Sequence, residues 1–269
     1  MVDGLIMIVG GIAAGLFGSL LGLGGGVLIV PLLTLGLGLP LLTAVGVSLV
    51  CVIVTSGAAA GVYLERHVAN LRLGMTLELF TAIGALGGAL VAFLIPEKLL
   101  SALFGGLLLY VAATMARGRE PAPDEAVAAS VDAAPDSFAT SLSAPGYRVR
   151  NVGFGAAGSL VAGVISALLG IGGGTVKVPV MHVVMGVPLR VATATSNLMI
   201  GITASSGAIV YLFRGGIDAY VAGPTAVGVF LGASLGSRIA HRIELRILRL
   251  LFVVILLYTA WQMIQRAVS

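Results

Sequence analysis

Two runs of three glycines interrupt long apolar stretches of the sequence. They consist of Gly24, Gly25 and Gly26 in the first half and of Gly172, Gly173 and Gly174 in the second half. Each glycine destabilises a helix by about 1 kcal/mol relative to alanine, and unpaired peptide groups inside a bilayer add a further penalty. If a short helix begins after each run, its free N–H groups and positive dipole end suit an anion. We therefore predict that the breaks line a substrate site; the alternative is close helix packing through small residues.

A second group of candidate residues is polar and lies in the second half. Lys177 occupies the position where the first half has Ile29, and the apolar segment that follows contains Thr195, Ser196 and Asn197. A lysine inside a membrane segment is a functional candidate by default, because its ammonium can neutralise an anionic substrate; alternatively, it extends to the membrane surface. The hydroxyls and the amide supply neutral hydrogen-bond donors for an oxyanion, or they bond within their own helix.

Glu78 is the single acidic residue inside a predicted membrane span. A carboxylate in that position is a candidate carrier of a coupling proton, and we predict this role for Glu78. The alternatives are a location at the membrane interface or an ion pair. Arg72, six positions earlier, is too far along the chain to be a helical neighbour.

Motifs for catalysis and cofactor binding are absent from the sequence. There is no HExxH, no CxxC, no GxSxG in a suitable context, no P-loop and no cluster of carboxylates for a metal. The GLGGG segment lacks the strand and the acidic residue that a dinucleotide site needs. The single cysteine, Cys51, excludes an internal disulfide. We therefore predict no catalytic residue, no metal, no cofactor and no ATP-driven step.

The composition of the chain is that of a membrane protein. Of the 269 residues, 58% are hydrophobic and 10% are charged, whereas about 25% are charged in soluble domains. Residues 4–64 contain no Asp, Glu, Lys or Arg, and a membrane-spanning helix needs roughly 20 apolar residues. The net charge of +4 is explained by basic residues beside membrane segments, so nucleic acid is not expected as a partner. The sequence predicts an all-α polytopic protein in a lipid bilayer. It does not decide the oligomeric state, and a homo-oligomer is one of the alternatives.

The chain contains two copies of one unit. Residues 15–34 and 163–182 are identical at nine of twenty positions with a constant offset of 148, and this offset persists without a gap to Tyr110 and Tyr258. The segment between the copies is rich in Ala, Pro, Ser and acidic residues, which is typical of a water-exposed linker. We predict a first transmembrane repeat over residues 4–117, a cytoplasmic linker over residues 118–150 and a second transmembrane repeat over residues 151–266.

Each repeat contains five apolar segments, of which the second is short. Whether the short segments cross the membrane decides between about eight and about ten membrane segments. If the halves are inverted, eleven arginines gather on one face, and the opposite face keeps Lys98, Arg214 and Arg266. The positive-inside rule therefore favours inverted repeats with the linker in the cytoplasm. The predicted segments are residues 5–23, 27–37, 41–64, 73–95 and 98–116 in the first repeat, and 152–171, 175–185, 189–213, 219–240 and 247–264 in the second.

The segments GLGGGVLIVPLL and GIGGGTVKVPVM, the stretch ATATSNLMIG and the turn RGGID resemble the TauE/SafE family of bacterial membrane transporters. The resemblance covers both repeats and excludes the linker. It implies a secondary transporter of sulfur-containing anions, such as sulfite, sulfoacetate and other organosulfonates, that exports them across the bacterial cytoplasmic membrane. It also implies a substrate site at the two glycine runs, at Thr195, Ser196 and Asn197, and at their first-half counterpart near Ser48. We add the hypothesis that the two repeats alternate the access of the anion to the two faces of the membrane.

Three other functions remain open at this point. A transporter or channel for another small solute, such as a cation, is disfavoured by the scarcity of acidic residues in the spans. A membrane enzyme is disfavoured by the missing catalytic motifs. A non-transporting scaffold or sensor has only the long linker as a positive feature.

Overall fold

The computed structural model describes residues 2–21, 24–65, 69–116, 142–143, 147–239 and 245–268. The described chain forms ten α-helices. Two of them are only six residues long, and each of these continues into a π-helical turn. The first half contains α1 (Val2–Leu21), α2 (Gly26–Pro31, continued by the turn Leu32–Gly36), α3 (Leu41–Glu65), α4 (Leu71–Ala92) and α5 (Glu97–Ala116). The second half contains α6 (Val152–Leu169), α7 (Gly174–Pro179, continued by Val180–Val184), α8 (Leu189–Phe213), α9 (Ala219–Ile239) and α10 (Leu245–Val268).

Six of these helices are long and apolar enough to cross a membrane, and two shorter apolar helices cover Gly4–Leu20 and Gly26–Gly36. No strand occurs in the described ranges. The prediction of an all-α polytopic membrane protein is therefore confirmed. The six spans are Leu41–Ala58, Leu71–Ala92, Glu97–Ala116, Val152–Leu169, Val191–Phe213 and Ala219–Arg238.

The two short helices begin where the glycine runs predict a break. Gly24 and Gly25 have φ angles of 73° and 77°, and Gly172 and Gly173 have φ angles of 78° and 77°. This left-handed backbone is open to glycine at little cost but is unfavourable for other residues. Each short helix then ends at a proline, which cannot donate a backbone hydrogen bond, and the chain widens into a π-helical turn.

The two halves interlock through small residues. Helix α1 packs along α9, and the equivalent helix α6 packs along α4. At the second of these crossings, a Cβ on Gly84 or Gly88 would overlap the carbonyl oxygen of Leu160 or Val164. A Cβ on Gly232 would overlap the carbonyl oxygen of Ile12 in the same way. The helix backbones therefore approach each other as closely as glycine permits.

Helices in equivalent positions run in opposite directions where they meet. Along α3 and α8, Gly46 lies beside Tyr211, Leu49 lies beside Gly207, and Ser56 bonds to the backbone of Asn197. Residue numbers therefore rise on α3 as they fall on α8. Helices α5 and α10 behave alike, because Gly105 lies beside Ile264 and Glu97 pairs with Arg266.

The end of the predicted linker packs against helices of both halves. Residues 117–141 and 144–146 lie outside the described residues. Leu142 and Val149 are buried in an apolar cluster that includes Leu73, Met181 and Met199. The backbone N–H of Arg150 donates to the carbonyl of Met185. The described part of this segment thus covers the start of α4 and the end of the π-helical turn that follows α7.

A pair of alanine substitutions on adjacent residues of α4 tests the close helix crossing. Gly88→Ala is expected to lower the free energy of unfolding by about 1–3 kcal/mol, because the added methyl group meets the Val164 backbone. Gly87→Ala points into open space and is expected to be neutral or stabilising by up to about 1 kcal/mol. Unfolding midpoints of the purified variants in detergent measure the difference. Equal midpoints would contradict the close packing.

Candidate functional site

The two glycine breaks meet at the centre of the molecule. An added Cβ on Gly24 would lie 3.3 Å from Ile200 Cγ2 and 3.4 Å from Val52 Cγ1. For Gly172, the distances to the same two atoms are 2.6 and 2.8 Å. Val52 and Ile200 are equivalent residues of the two repeats and lie near the middle of α3 and α8. Irregular backbone from both halves therefore faces one pair of apolar side chains.

A narrow cleft lies beside this junction, with room for about one water molecule. Asn197 is nine-tenths buried, and in the described part of the chain its side-chain amide has no hydrogen-bond partner. Its backbone carbonyl accepts a 2.7 Å bond from Ser56 Oγ, which in turn accepts a bond from Gly201 N. The amide is therefore free for a ligand. The cleft is lined by Gly18, Ser19, Gly24, Thr55, Ser56, Asn197 and Ile200.

Within the described residues, three buried hydroxyls of the second half have no hydrogen-bond partner: those of Ser166, Thr175 and Ser196. Ser166 packs against Gly173, and Thr175 is the second residue of α7. The sequence analysis identified Ser196 but missed the other two. Ser166 lies at the position where the first half has Gly18. This replacement of a glycine by a polar residue is the feature of the sequence that could have identified Ser166. Unpaired buried hydroxyls are uncommon in folded proteins.

Two predicted site residues hold the structure together instead of lining the cleft. Ser48 Oγ donates a 2.6 Å bond to the carbonyl of Gly170, which ties α3 to the turn before the second break. Thr195 Oγ1 accepts a 2.9 Å bond from the backbone N–H of Asn70. Asn70 caps α4 through Leu73 N.

The Asn70 amide also bonds to the segment that precedes α6. Its Nδ2 donates to the carbonyl of Leu142 at 2.8 Å and to the Tyr147 hydroxyl oxygen at 2.7 Å. Burial raises the pKa of the Tyr147 phenol, although the Asn70 bond lowers it in part. The phenol therefore stays neutral at physiological pH, and this end of α4 is anchored by uncharged bonds.

Lys177 and Glu78 form a buried ion pair between the two halves. Lys177 Nζ lies 3.0 Å from Glu78 Oε2, and both side chains are almost fully buried. Thr203 Oγ1 accepts a 2.5 Å bond from Lys177 Nζ and donates a 2.6 Å bond to Glu78 Oε1. Lys177 therefore does not extend to the protein surface, and in this conformation its charge is already neutralised. We call these three residues the charged triad.

In the described ranges, no three His, Cys, Asp or Glu side chains lie close enough to hold a metal ion. The buried polar groups in these ranges include the neutral donors of the cleft, the unpaired hydroxyls and the charged triad.

Comparison with known proteins connects this geometry with a family. The profile of the family described as "Sulfite exporter TauE/SafE" matches residues 7–263. The chain belongs to the TauE/SafE family. This membership and the six apolar spans describe a multi-pass membrane transporter of a small solute, consistent with a location in the bacterial inner membrane. No solved structure gives a significant match.

Curated relatives of this TauE/SafE member carry similar names. The chain is 26% identical over 271 residues to the "Probable membrane transporter protein YunE" of Bacillus subtilis, with 98% of each chain covered. It is 27% identical over 261 residues to the "Probable membrane transporter protein MJ0441" of Methanocaldococcus jannaschii, with 91% of this chain and 90% of the relative covered. A "Probable membrane transporter protein" of Xylella fastidiosa is 27% identical over 272 residues, with 97% of each chain covered. The match therefore extends over both halves of the chain.

Proposed function

We propose that this protein exports small sulfur-containing anions, such as sulfite, sulfoacetate or other organosulfonates, across the cytoplasmic membrane. The observation that carries the proposal is the free Asn197 amide in the cleft beside the two glycine breaks. Its two N–H groups are donors suited to the oxygens of a sulfonate or sulfite. The family's description as sulfite exporters supports the same class of substrate.

Alternating access is part of this proposal. The cleft holds about one water molecule, so a sulfonate enters only after the helices around it separate. The side chains of Val52 and Ile200 close the junction between the breaks. We propose that the two halves open this junction to one face and then to the other.

Inverted repeats with the linker of residues 118–150 in the cytoplasm fit this mechanism. The opposite directions of α3 and α8, and of α5 and α10, support the inversion. The arginine distribution supports the cytoplasmic position of the linker. Inverted halves provide two related conformations, one open to each face. We also retain Glu78 as the proposed proton-coupling residue.

Efflux from proteoliposomes tests the substrate and the site together. Radiolabelled sulfoacetate is expected to leave faster than malonate, which has the same length and charge class but no sulfonate. Asn197→Ala is expected to lower the efflux rate by about tenfold, since a hydrogen bond to a charged group contributes about 1.5 kcal/mol. Ser196→Ala is expected to lower it less, because this hydroxyl is buried and unpaired outside the cleft lining.

Ser206→Ala is the matched control on the same helix. Its hydroxyl is exposed and donates to the carbonyl of Ile202 in its own helix, so the wild-type rate is expected. If Asn197→Ala and Ser196→Ala both transport sulfoacetate at the wild-type rate, these residues do not belong to the site. A wild-type protein that prefers malonate would contradict the proposed substrate class.

A further inference from the structure

The charged triad is absent from the place in the molecule that the repeat makes equivalent to it. At the offset of 148, Ile29 corresponds to Lys177 and Ala226 corresponds to Glu78. Thr55, the equivalent of Thr203, bonds within the described residues only to the carbonyl of Cys51 in its own helix. The same local fold is thus built once with the ion pair and once with apolar residues. The pair is therefore not required by the helix packing at this position.

The position of the triad is costly for a purely structural element. Buried ion pairs are often replaceable by apolar residues without loss of stability, and charged residues inside membrane segments usually mark a functional site. The repeat shows that an apolar residue can take the place of the lysine, because Ile29, the equivalent of Lys177, is fully buried in the core. A function for the pair is the remaining explanation.

The triad lies next to the cleft. Thr203 is three residues beyond Ile200 on α8, so the two are separated by about 5 Å along the helix axis. Ile200 lines the cleft and contacts both glycine breaks. Lys177 follows the second break by three residues. An anion that leaves the Asn197 amide and passes Ile200 therefore approaches the Lys177 ammonium.

Glu78 is the carboxylate that pairs with the Lys177 ammonium. Helix α6, which packs on α4, contains no charged residue, and α8 contains only Arg190, at its start. His182 follows α7, and its ring bonds to the carbonyl of Val187. Arg72 is exposed at the start of α4, six residues before the buried Glu78. In the described part of the chain, Lys177 therefore has Glu78 as its only anionic partner.

We propose that Glu78 is a tethered substitute for the transported anion. When the site is empty, Glu78 neutralises Lys177, so the empty transporter changes conformation without an unpaired charge in the membrane. When a sulfonate binds, it takes the place of Glu78 at the Lys177 ammonium. This inference rests on the proposed function and adds to it a second anion contact, at Lys177, and the means by which the empty protein returns.

The experiment compares net efflux with exchange. Wild-type protein is reconstituted in proteoliposomes loaded with radiolabelled methanesulfonate, a monovalent sulfonate, with the membrane potential held at zero by equal potassium and valinomycin. Efflux into medium without methanesulfonate requires the empty protein to return, whereas efflux into medium with unlabelled methanesulfonate does not. The wild type is expected to catalyse both.

Glu78→Gln removes the substitute charge and leaves Lys177 unpaired in the empty protein. The ratio of net efflux to exchange is expected to fall by about 100-fold, which corresponds to about 3 kcal/mol for an unpaired lysine in a membrane segment. The matched control is Glu97→Gln at the start of α5. That carboxylate is half-exposed and bonds to Leu41 N and Arg266, and its loss is expected to leave the ratio unchanged.

The double variant Lys177→Ile with Glu78→Ala copies the equivalent residues Ile29 and Ala226 and keeps the test valid if Glu78→Gln does not fold. It is expected to lose both net efflux and exchange, because the anion contact at Lys177 is gone. A wild-type ratio in Glu78→Gln, or wild-type rates in the double variant, would overturn the inference. Wild-type protein that transports no sulfonate would instead overturn the proposed function.

Discussion

Lys177→Met is expected to lower the free energy of unfolding by about 3–5 kcal/mol, because it leaves the buried Glu78 carboxylate without its partner. Lys177 is 1% exposed and gives two hydrogen bonds, to Glu78 and Thr203. Methionine fills a similar volume, so the loss comes mainly from the charge. Unfolding in a denaturant series in mixed micelles measures the change.

The double substitution Lys177→Ile with Glu78→Ala tests whether Lys177 and Glu78 stabilise the fold as an ion pair or independently of each other. If the residues act as a pair, the double variant regains most of the stability that the single variant loses, since no buried charge remains. The internal repeat supports this expectation, because Ile29 and Ala226 are the residues equivalent to Lys177 and Glu78. Additive losses in the two single variants and the double variant would show that the residues stabilise the fold separately.

Gly172→Ala is expected to damage both stability and transport. The left-handed backbone at Gly172, with φ of 78°, costs an alanine about 1–2 kcal/mol. Its methyl group would also meet Ile200 Cγ2 and Val52 Cγ1 at 2.6 and 2.8 Å. Both neighbours are β-branched and buried, so they have little freedom to move, and overpacking adds about 1–3 kcal/mol. Sulfoacetate efflux should fall at the same time, because the junction between the breaks is forced apart.

Gly215→Ala separates the backbone penalty from the overpacking by the added methyl group. Gly215 has a similar φ of 69° but open space where the methyl group would lie, so only the backbone penalty of about 1–2 kcal/mol is expected. Its efflux rate should match the wild type. In the Gly172→Ala background, Val52→Ala removes one of the two contacts and is expected to restore part of the efflux. Equal losses of stability in Gly172→Ala and Gly215→Ala would show that the junction tolerates the added methyl group.

Much of the fold follows from the sequence, since hydropathy and glycine position depend on residues close together in the chain. The apolar segments matched the helices to within a few residues, and short helices begin at Gly26 and Gly174 as the glycine runs indicated. Lys177 and Glu78 each stood out as charged residues in apolar segments. The contact between them could not be predicted from the sequence, because the two residues are 99 positions apart and belong to different halves.

The register between α4 and α8 explains why the pairing escaped sequence analysis. It is fixed by close contacts such as that between Gly74 and Thr195 and by the Asn70 cap, and no periodicity in the sequence encodes it. The same register gives Thr195 a backbone partner and leaves Asn197 in the cleft. Three adjacent residues that look equivalent in the sequence therefore have different surroundings.

The interlocked packing of α1 on α9 and of α6 on α4 has a consequence for how the chain is made. During synthesis, the first half enters the membrane before α6 and α9 exist, so the glycine faces of α1 and α4 have no partner. Neither half completes its own packing, and the final arrangement forms only after most of the second half has been inserted. Assembly of this protein is therefore a late, cooperative event, in contrast to multidomain chains whose domains fold one after another as they emerge.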